Sequence, residues 1–168
     1  MVLDKLGRPL RDLRISVTDR CNFRCRYCMP REKFGSDHTF LSKSEILSYE
    51  DINRFVLACK PLGLQKVRIT GGEPLLRKDI HKLVEMISGL GIETALTTNG
   101  SLLSGQLNKL AGSGLDRVTI SLDAMDQETH SRITDSTFSV SDILGGIMEA
   151  SSLGLDPVKV NCVVRRGV

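Results

Sequence analysis

Short runs in which apolar and polar residues alternate recur along this chain, and longer runs with helical spacing separate them. The alternating runs are LRISVT (13–18), KVRIT (66–70), ETALTT (93–98), RVTISL (117–122) and VKVNCVV (158–164). Alternation of period two predicts strands. Between the first two, SKSEILSYEDINRFVLACKPLG predicts a helix that starts at the capping serines Ser42 and Ser44 and stops near Pro61 and Gly63. KDIHKLVEMISGLG carries Ile80, Leu83, Val84 and Ile87 at helical spacing and ends at Gly89. SGQLNKLAGSG and VSDILGGIMEASSLG fill the next two gaps, each closed by glycine, although Gly145 and Gly146 weaken the last helix.

Repeated strand–helix units predict a parallel sheet with right-handed crossovers. Strands buried on both faces are apolar throughout, and these are not. Leu13, Ile15 and Val17 alternate with Arg14, Ser16 and Thr18; Val67 and Ile69 with Arg68 and Thr70; Val118, Ile120 and Leu122 with Thr119, Ser121 and Asp123; Val158 and Val160 with Lys159 and Asn161. In the third strand Ala95, Thr97 and Asn99 share one parity. One face must take the helices and the other must be polar. The expected fold is therefore α/β, an incomplete (partial) βα barrel with outer helices and a wet concave lumen, because a closed eight-stranded barrel fills its interior with branched apolar side chains. A sheet with one face simply solvated, or covered by an absent partner, is the alternative.

The length of 168 residues suits one domain, 1–168, or part of a larger one. With 40% hydrophobic and 26% charged residues the chain reads as soluble and globular. A net charge of +3 gives no electrostatic case for nucleic acid. MVLDKLGRPLRDLR lacks the apolar core of a signal peptide, and no apolar run reaches the about 18 residues of a membrane helix. These features point to the cytoplasm, or to an organelle matrix or stroma, where thiols stay reduced. The five cysteines are then ligands or reactive thiols rather than disulfides.

Three of them stand in RCNFRCRYCMP, as Cys21, Cys25 and Cys28. Thiolates are soft donors that suit iron–sulfur clusters or zinc. Three do not close a tetrahedral zinc site; His38 is a candidate fourth ligand. A [4Fe–4S] cluster normally takes four thiolates, so three leave one iron open for chemistry. The loop follows a strand end, where parallel α/β folds place their ligands. Phe23 and Tyr27 are placed to shield a cluster, and Arg20, Arg24 and Arg26 to offset its charge. Cys59 and Cys162 fall on apolar positions and read as small buried hydrophobes. In TGGEPLL (70–76) the glycine pair permits close backbone approach to a ligand, or simply a tight turn; Glu73 fits plain turn chemistry poorly. TTNG and SLD bring hydroxyl, amide and carboxylate groups to the same rim, although Asn-Gly alone is an ordinary turn signal.

The C-x3-C-x2-C loop with an aromatic before its last cysteine resembles the signature of radical S-adenosylmethionine (SAM) enzymes. The resemblance implies a [4Fe–4S] cluster on Cys21, Cys25 and Cys28. It implies S-adenosyl-L-methionine on the fourth iron, cleaved by reduction to a hydrogen-abstracting 5′-deoxyadenosyl radical. It assigns SAM contacts to Tyr27, to the backbone of Gly72 and to Ser121. LRISVTDRCNFRCRYCMP, KVRITGGEPLLRKD, TTNG, ISLDAMD and VKVNCVV together resemble the N-terminal half of the GTP 3′,8-cyclase family of molybdenum-cofactor biosynthesis, over about residues 10–168. That implies a lyase converting GTP to (8S)-3′,8-cyclo-7,8-dihydroguanosine 5′-triphosphate, with no catalytic side chain of its own. GTP contacts are implied at Arg14, Arg68, Thr97 and Lys159. An electron-donor protein is implied, and a homodimer is left open. Three cations in one concave site suit a triphosphate; alternatively they pair with Asp19, Glu73 or Asp123. The family's second cysteine trio and sixth strand have no counterpart in the sequence, so the chain is expected to be part of a cyclase, truncated after about the fifth strand and unable to complete the reaction alone. The competing readings are a radical SAM enzyme acting on a peptide or other small molecule, and a non-enzymatic metal-binding or electron-transfer module.

Overall fold

A computed structural model describes residues 2–166; Met1, Gly167 and Val168, part of the range 1–168 read as one domain, lie outside the described residues. Five strands, β1 (Asp12–Ser16), β2 (Lys66–Thr70), β3 (Glu93–Thr98), β4 (Arg117–Ser121) and β5 (Lys159–Asn161), form one sheet. Neighbours in sequence are neighbours in space, in the order β1-β2-β3-β4-β5, and every pairing is parallel. The helices between them are α1 (Tyr49–Cys59), α2 (Ile80–Ser88), α3 (Leu107–Gly112), α4 (Gln127–Thr134) and α5 (Val140–Ser152). A same-sense walk along an open sheet, without closure, is the partial barrel that the strand parity requires.

The two faces divide as the alternation predicts. Val67, Ile69, Leu96, Val118 and Ile120 are buried together with Ile80, Leu83, Val84, Ile87, Leu107, Leu110 and Ile143 from the helices. Burying such side chains stabilises by about 2 kcal/mol each, and this face is where the core lies. The other face runs in register rows: Arg14 opposite Arg68, Arg68 opposite Ala95, Ala95 opposite Arg117, then Thr97 opposite Thr119 and Thr119 opposite Lys159.

Several expected boundaries move. Helix α1 begins at Ser48, whose hydroxyl accepts from the Asp51 N–H and donates to the Asp51 carboxylate, a reciprocal cap. Ser42 instead donates both its N–H and its hydroxyl to the Glu45 carboxylate and closes only a turn. The backbone at Ser48 is extended, φ −65° and ψ 164°, and no helix passes through it. Helix α4 was not foreseen: in QETHSRIT the buried residues are His130, Ile133 and Thr134, a stripe too polar to register as apolar periodicity. Strand β5 covers only Lys159–Asn161 of the expected 158–164. Its ladder ends because the Asp123 carboxylate takes the Val163 N–H, 2.8 Å. At this uncovered edge Val160 is 47% exposed, and Cys162 is exposed too, contrary to its expected burial; Cys59 is buried as expected. Among the described residues no helix is long and apolar enough to cross a membrane.

Candidate functional site

The cysteine loop and the glycine pair meet directly after their strands. The Gly72 N–H donates to the Thr18 carbonyl and the Glu73 N–H to the Arg20 carbonyl, both 2.7 Å. A Cβ on Gly71 (φ 153°) would sit 2.5 Å from the Thr18 oxygen, and one on Gly72 only 2.2 Å from the Arg20 oxygen. The glycines are therefore required where two backbones touch. The close approach foreseen for a ligand is first an approach to the cysteine loop itself.

Two further moorings hold that loop. On one side the last turn of α4 offers carbonyls, Thr134 to the Arg24 N–H (2.9 Å) and Ile133 to the Arg26 N–H (3.0 Å). Phe23 packs edge-on to His130 with centroids 6.0 Å apart and lies 6.3 Å from Phe138. Phe23 is thus an anchor buried against α4. Arg24 spends its guanidinium on the carbonyls of Cys21, Phe23 and Phe34, and Arg20 donates to the Leu41 carbonyl. His130 is fully buried with neither ring nitrogen hydrogen-bonded. Burial lowers its pKa, with Asp123 opposing, so the ring is held neutral.

On the other side stands the exit of β3. Asn99 Nδ2 donates to Asn22 Oδ1 (2.9 Å), Asn22 Nδ2 to Ser101 Oγ (2.8 Å), and Ser101 N and Oγ to Asn99 Oδ1 (3.0 and 2.7 Å). Beneath them the buried Glu73 carboxylate accepts from the Leu75 N–H, the Thr98 hydroxyl and the Asn99 N–H, at 2.8–2.9 Å. Burial raises its pKa in spite of those three donors.

Cys21 and Cys25 are half-buried and Cys28 is exposed. The Cys28 and Met29 N–H groups both reach the Cys25 carbonyl at 2.9 Å, one helical turn that sets Cys25 and Cys28 side by side. Burial, then the charges of Cys21, Asp123 and Cys28, push the Cys25 thiol up to about 12. The Cys21 thiol is raised by burial first, with Glu73 and Cys28 adding to it. Cys25 thus lies close enough to Cys21 and Cys28, and Cys21 to Cys28, to feel their charge. Yet among the described residues no group of three His, Cys, Asp or Glu side chains is gathered so that it could hold one metal ion. His38, the candidate fourth zinc ligand, is exposed and lies between Phe34 and Phe40, 4.7 and 4.6 Å from their rings. Three thiols leave a tetrahedral zinc site one ligand short, whereas a [4Fe–4S] cluster can be held by three with one iron left open.

The remaining expected residues divide into rim and face. Tyr27 donates to Asp123 Oδ2, 2.6 Å; burial and this bond raise its phenol pKa, so it stays protonated. Ser121 ends β4 at the same rim, half-buried. Gly72 has committed its N–H to Thr18, which leaves its carbonyl for a ligand. Arg14, Arg68, Thr97 and Lys159 share the polar face but sit on β1, β2, β3 and β5. A recess of about 320 Å³ lined by Arg14, Ser16, Thr70 and Gly71 joins that face to the glycine pair. Among the described residues none of the partners weighed for the cations pairs with them: Asp19 accepts from the Leu41 N–H through one oxygen, and Glu73 and Asp123 serve the loops. Arg68 pairs instead with Asp12, 3.0 Å. Among the described residues Arg14 and Lys159 form no ion pair. The network of Asn22, Glu73, Asn99 and Ser101 was not foreseen. Asn-Gly reads as a turn, and Gly100 does take φ 82°, but the asparagine side chain turns toward the cysteine loop.

The radical SAM superfamily model matches residues 15–168. The GTP 3′,8-cyclase of Acidothermus cellulolyticus is 54% identical across 99% of this chain and 47% of its own length. That of Staphylococcus epidermidis is 51% identical across 100% of this chain and 50% of its own. The chain thus spans about half the length of the curated relatives it matches. Streptococcus suis SuiB bound to S-adenosylmethionine superposes on 95% of the chain, and 35% of its own, with a TM-score of 0.77 at 22% identity. Native anSMEcpe with bound AdoMet covers 93% of this chain and 45% of its own, with a TM-score of 0.67 at 21% identity. At such identities the solved structures speak for the fold, whereas the superfamily model accounts for the sequence from Ile15 onward. The chain belongs to the radical SAM superfamily.

Proposed function

We propose that this chain forms the radical-generating part of a GTP 3′,8-cyclase. The observation that carries the reading is the loop of three free thiols at the rim of a sheet whose polar face carries Arg14 and Lys159, which form no ion pair among the described residues. About 50% identity to proteins named for that activity, along the whole chain, supports it. Cys21, Cys25 and Cys28 would hold a [4Fe–4S] cluster. When bound, the cluster and S-adenosylmethionine supply a one-electron cleavage that yields a hydrogen-abstracting radical. The free Gly72 carbonyl suits an ammonium group. Ser121 offers a hydroxyl at the same rim, and Tyr27, fixed by Asp123, walls the loop. On the polar face, Arg14 and Lys159 have no acidic partner among the described residues and are the cations most available to a triphosphate; Arg68 must first release Asp12. Thr97 adds a hydroxyl in the same row as Lys159. Cys28, the exposed thiol, marks the side from which an electron-donor protein would approach.

Anaerobic reconstitution with iron and sulfide tests the cluster. The expected result is about four irons per chain and an EPR signal perturbed by S-adenosylmethionine; zinc uptake, or a signal indifferent to it, overturns the reading. GTP titration tests the substrate. Binding should weaken at least tenfold in Lys159→Ala and in Arg14→Ala, and equal affinity for an unrelated peptide would refute the GTP assignment.

A further inference from the structure

We propose that Asn99 is a positioning residue that tunes the cluster through the sulfur of Cys21. The inference rests on the reading that Cys21, Cys25 and Cys28 hold an iron–sulfur cluster. Two N–H groups point at Cys21 Sγ, that of Asn99 Nδ2 at 3.9 Å and that of the Phe23 backbone at 3.4 Å. Among the described residues no other residue donates a hydrogen bond to the sulfur of Cys25 or Cys28. The three sulfurs are therefore inequivalent before any metal binds.

The direction of the Asn99 amide is forced. Its oxygen accepts from both the N–H and the hydroxyl of Ser101. A flipped amide would set donor against donor, so Nδ2 is the atom presented to the loop. Its backbone is equally fixed. The Asn99 N–H is held by Glu73, and Gly100 behind it is packed so tightly that a Cβ would come within 3.0 Å of Ile143 and 3.1 Å of Ile120. A rigid donor aimed at a ligand sulfur stabilises the extra negative charge of the reduced cluster, and hydrogen bonds to sulfur are among the main determinants of cluster potential.

The test is an EPR-monitored redox titration of the reconstituted chain. It compares the wild type with Asn99→Leu, which keeps the shape and removes the N–H, and with Ser101→Ala, which removes one of the two donors that hold the amide oxygen. A third variant, Phe138→Leu, loosens the packing on the α4 side of the same loop without touching Asn99 or Cys21. Asn99→Leu should keep its iron and shift to a more negative midpoint potential, with Ser101→Ala shifting the same way by less and Phe138→Leu staying at the wild-type value. A wild-type potential in Asn99→Leu, or an equal shift in Phe138→Leu, overturns the proposal. Should Asn99→Leu fail to retain iron, Asn99→Ala against Phe138→Leu decides, and equal potentials overturn it. A wild-type chain that assembles no iron–sulfur cluster removes the reading beneath it, a failure visible before any variant is measured.

Discussion

Cys21 and Cys28 belong to one short loop, yet their surroundings have little in common. Around Cys21 the backbone is pressed against Gly71 and Gly72, and two N–H groups face the sulfur. The Asn22–Asn99–Ser101 triangle sits on the buried Glu73. Around Cys28 the side chain is exposed, and the adjacent Tyr27 is tied by a single hydroxyl to Asp123. One end is specified by residues brought from two other strand exits, and the other is left to solvent. A loop that must hold a cofactor and also admit a ligand has reason for this division. Rigidity at one end preorganises the donors, and openness at the other leaves a place for exchange.

The strongest way to break the contrast is to dissolve the closed end at its base. Glu73→Ala would orphan the Leu75 and Asn99 N–H groups and the Thr98 hydroxyl and leave a cavity. At about 1 kcal/mol for each lost partner plus the void, a loss of about 4 kcal/mol is expected, or about 10 °C in Tm. Chemical denaturation would show it, and a loss below about 1 kcal/mol would mean that Glu73 is not the keystone of this end. Gly72→Ala comes next. Its Cβ would overlap the Arg20 backbone rather than a flexible side chain, so the two loops must part. About 3 kcal/mol and a several-fold fall in iron uptake are expected, checked by melting and by iron analysis of the reconstituted chain.

The difference between the ends also explains what could be read from the sequence. The strands and the helix-bearing face were legible because period-two alternation from Leu13 to Leu122 and the Ile80–Ile87 stripe are local signals. The three thiols were legible from their spacing. The closed end was not, because Asn22, Glu73, Asn99 and Ser101 come from three separate segments that only the parallel register brings together. Helix α4 escaped because its core contact is an imidazole on Phe23 rather than an aliphatic stripe. The start of α1 was misplaced because Ser42-x-x-Glu45 and Ser48-x-x-Asp51 carry the same capping signature, and only the extended backbone at Ser48 chooses between them. Cys162 was misread because parity indicates a face but not whether anything covers it.

The middle of the loop, moored on α4, sharpens the comparison through pH. His130 has a pKa lowered from an ordinary value of 6.5 by burial. The unfolded chain therefore binds its proton first, and stability falls as the pH drops below about 6.5. Glu73 is raised from 4.5 by burial, so its contribution is complete below about pH 4.5 and is lost as the pH rises through the raised value. The two slopes oppose each other in mildly acidic solution. His130→Phe should remove the acid-side loss, measured as a flatter dependence of Tm on pH between about 6.5 and 5. An unchanged slope would show that the ring finds a proton acceptor there.

The smallest effect belongs to the open end. Tyr27→Phe removes only the hydroxyl that reaches Asp123, on a ring that is 42% exposed. Solvent competes for both groups, so the expected cost is about 0.5 kcal/mol, an order of magnitude below that of Glu73→Ala. The Asp123 carboxylate keeps its second contact, the Val163 N–H, so the end of β5 should stay in place. What should change is the freedom of the Cys28 turn. Alkylation of Cys28 in the metal-free chain should speed up several-fold while that of Cys21 does not, read by mass spectrometry of the labelled peptide. If both thiols accelerate together, the loop moves as one body and its two ends are not independently held. If neither does, the Tyr27 hydroxyl restrains nothing, and the turn bonds to the Cys25 carbonyl suffice to keep Cys28 where it is.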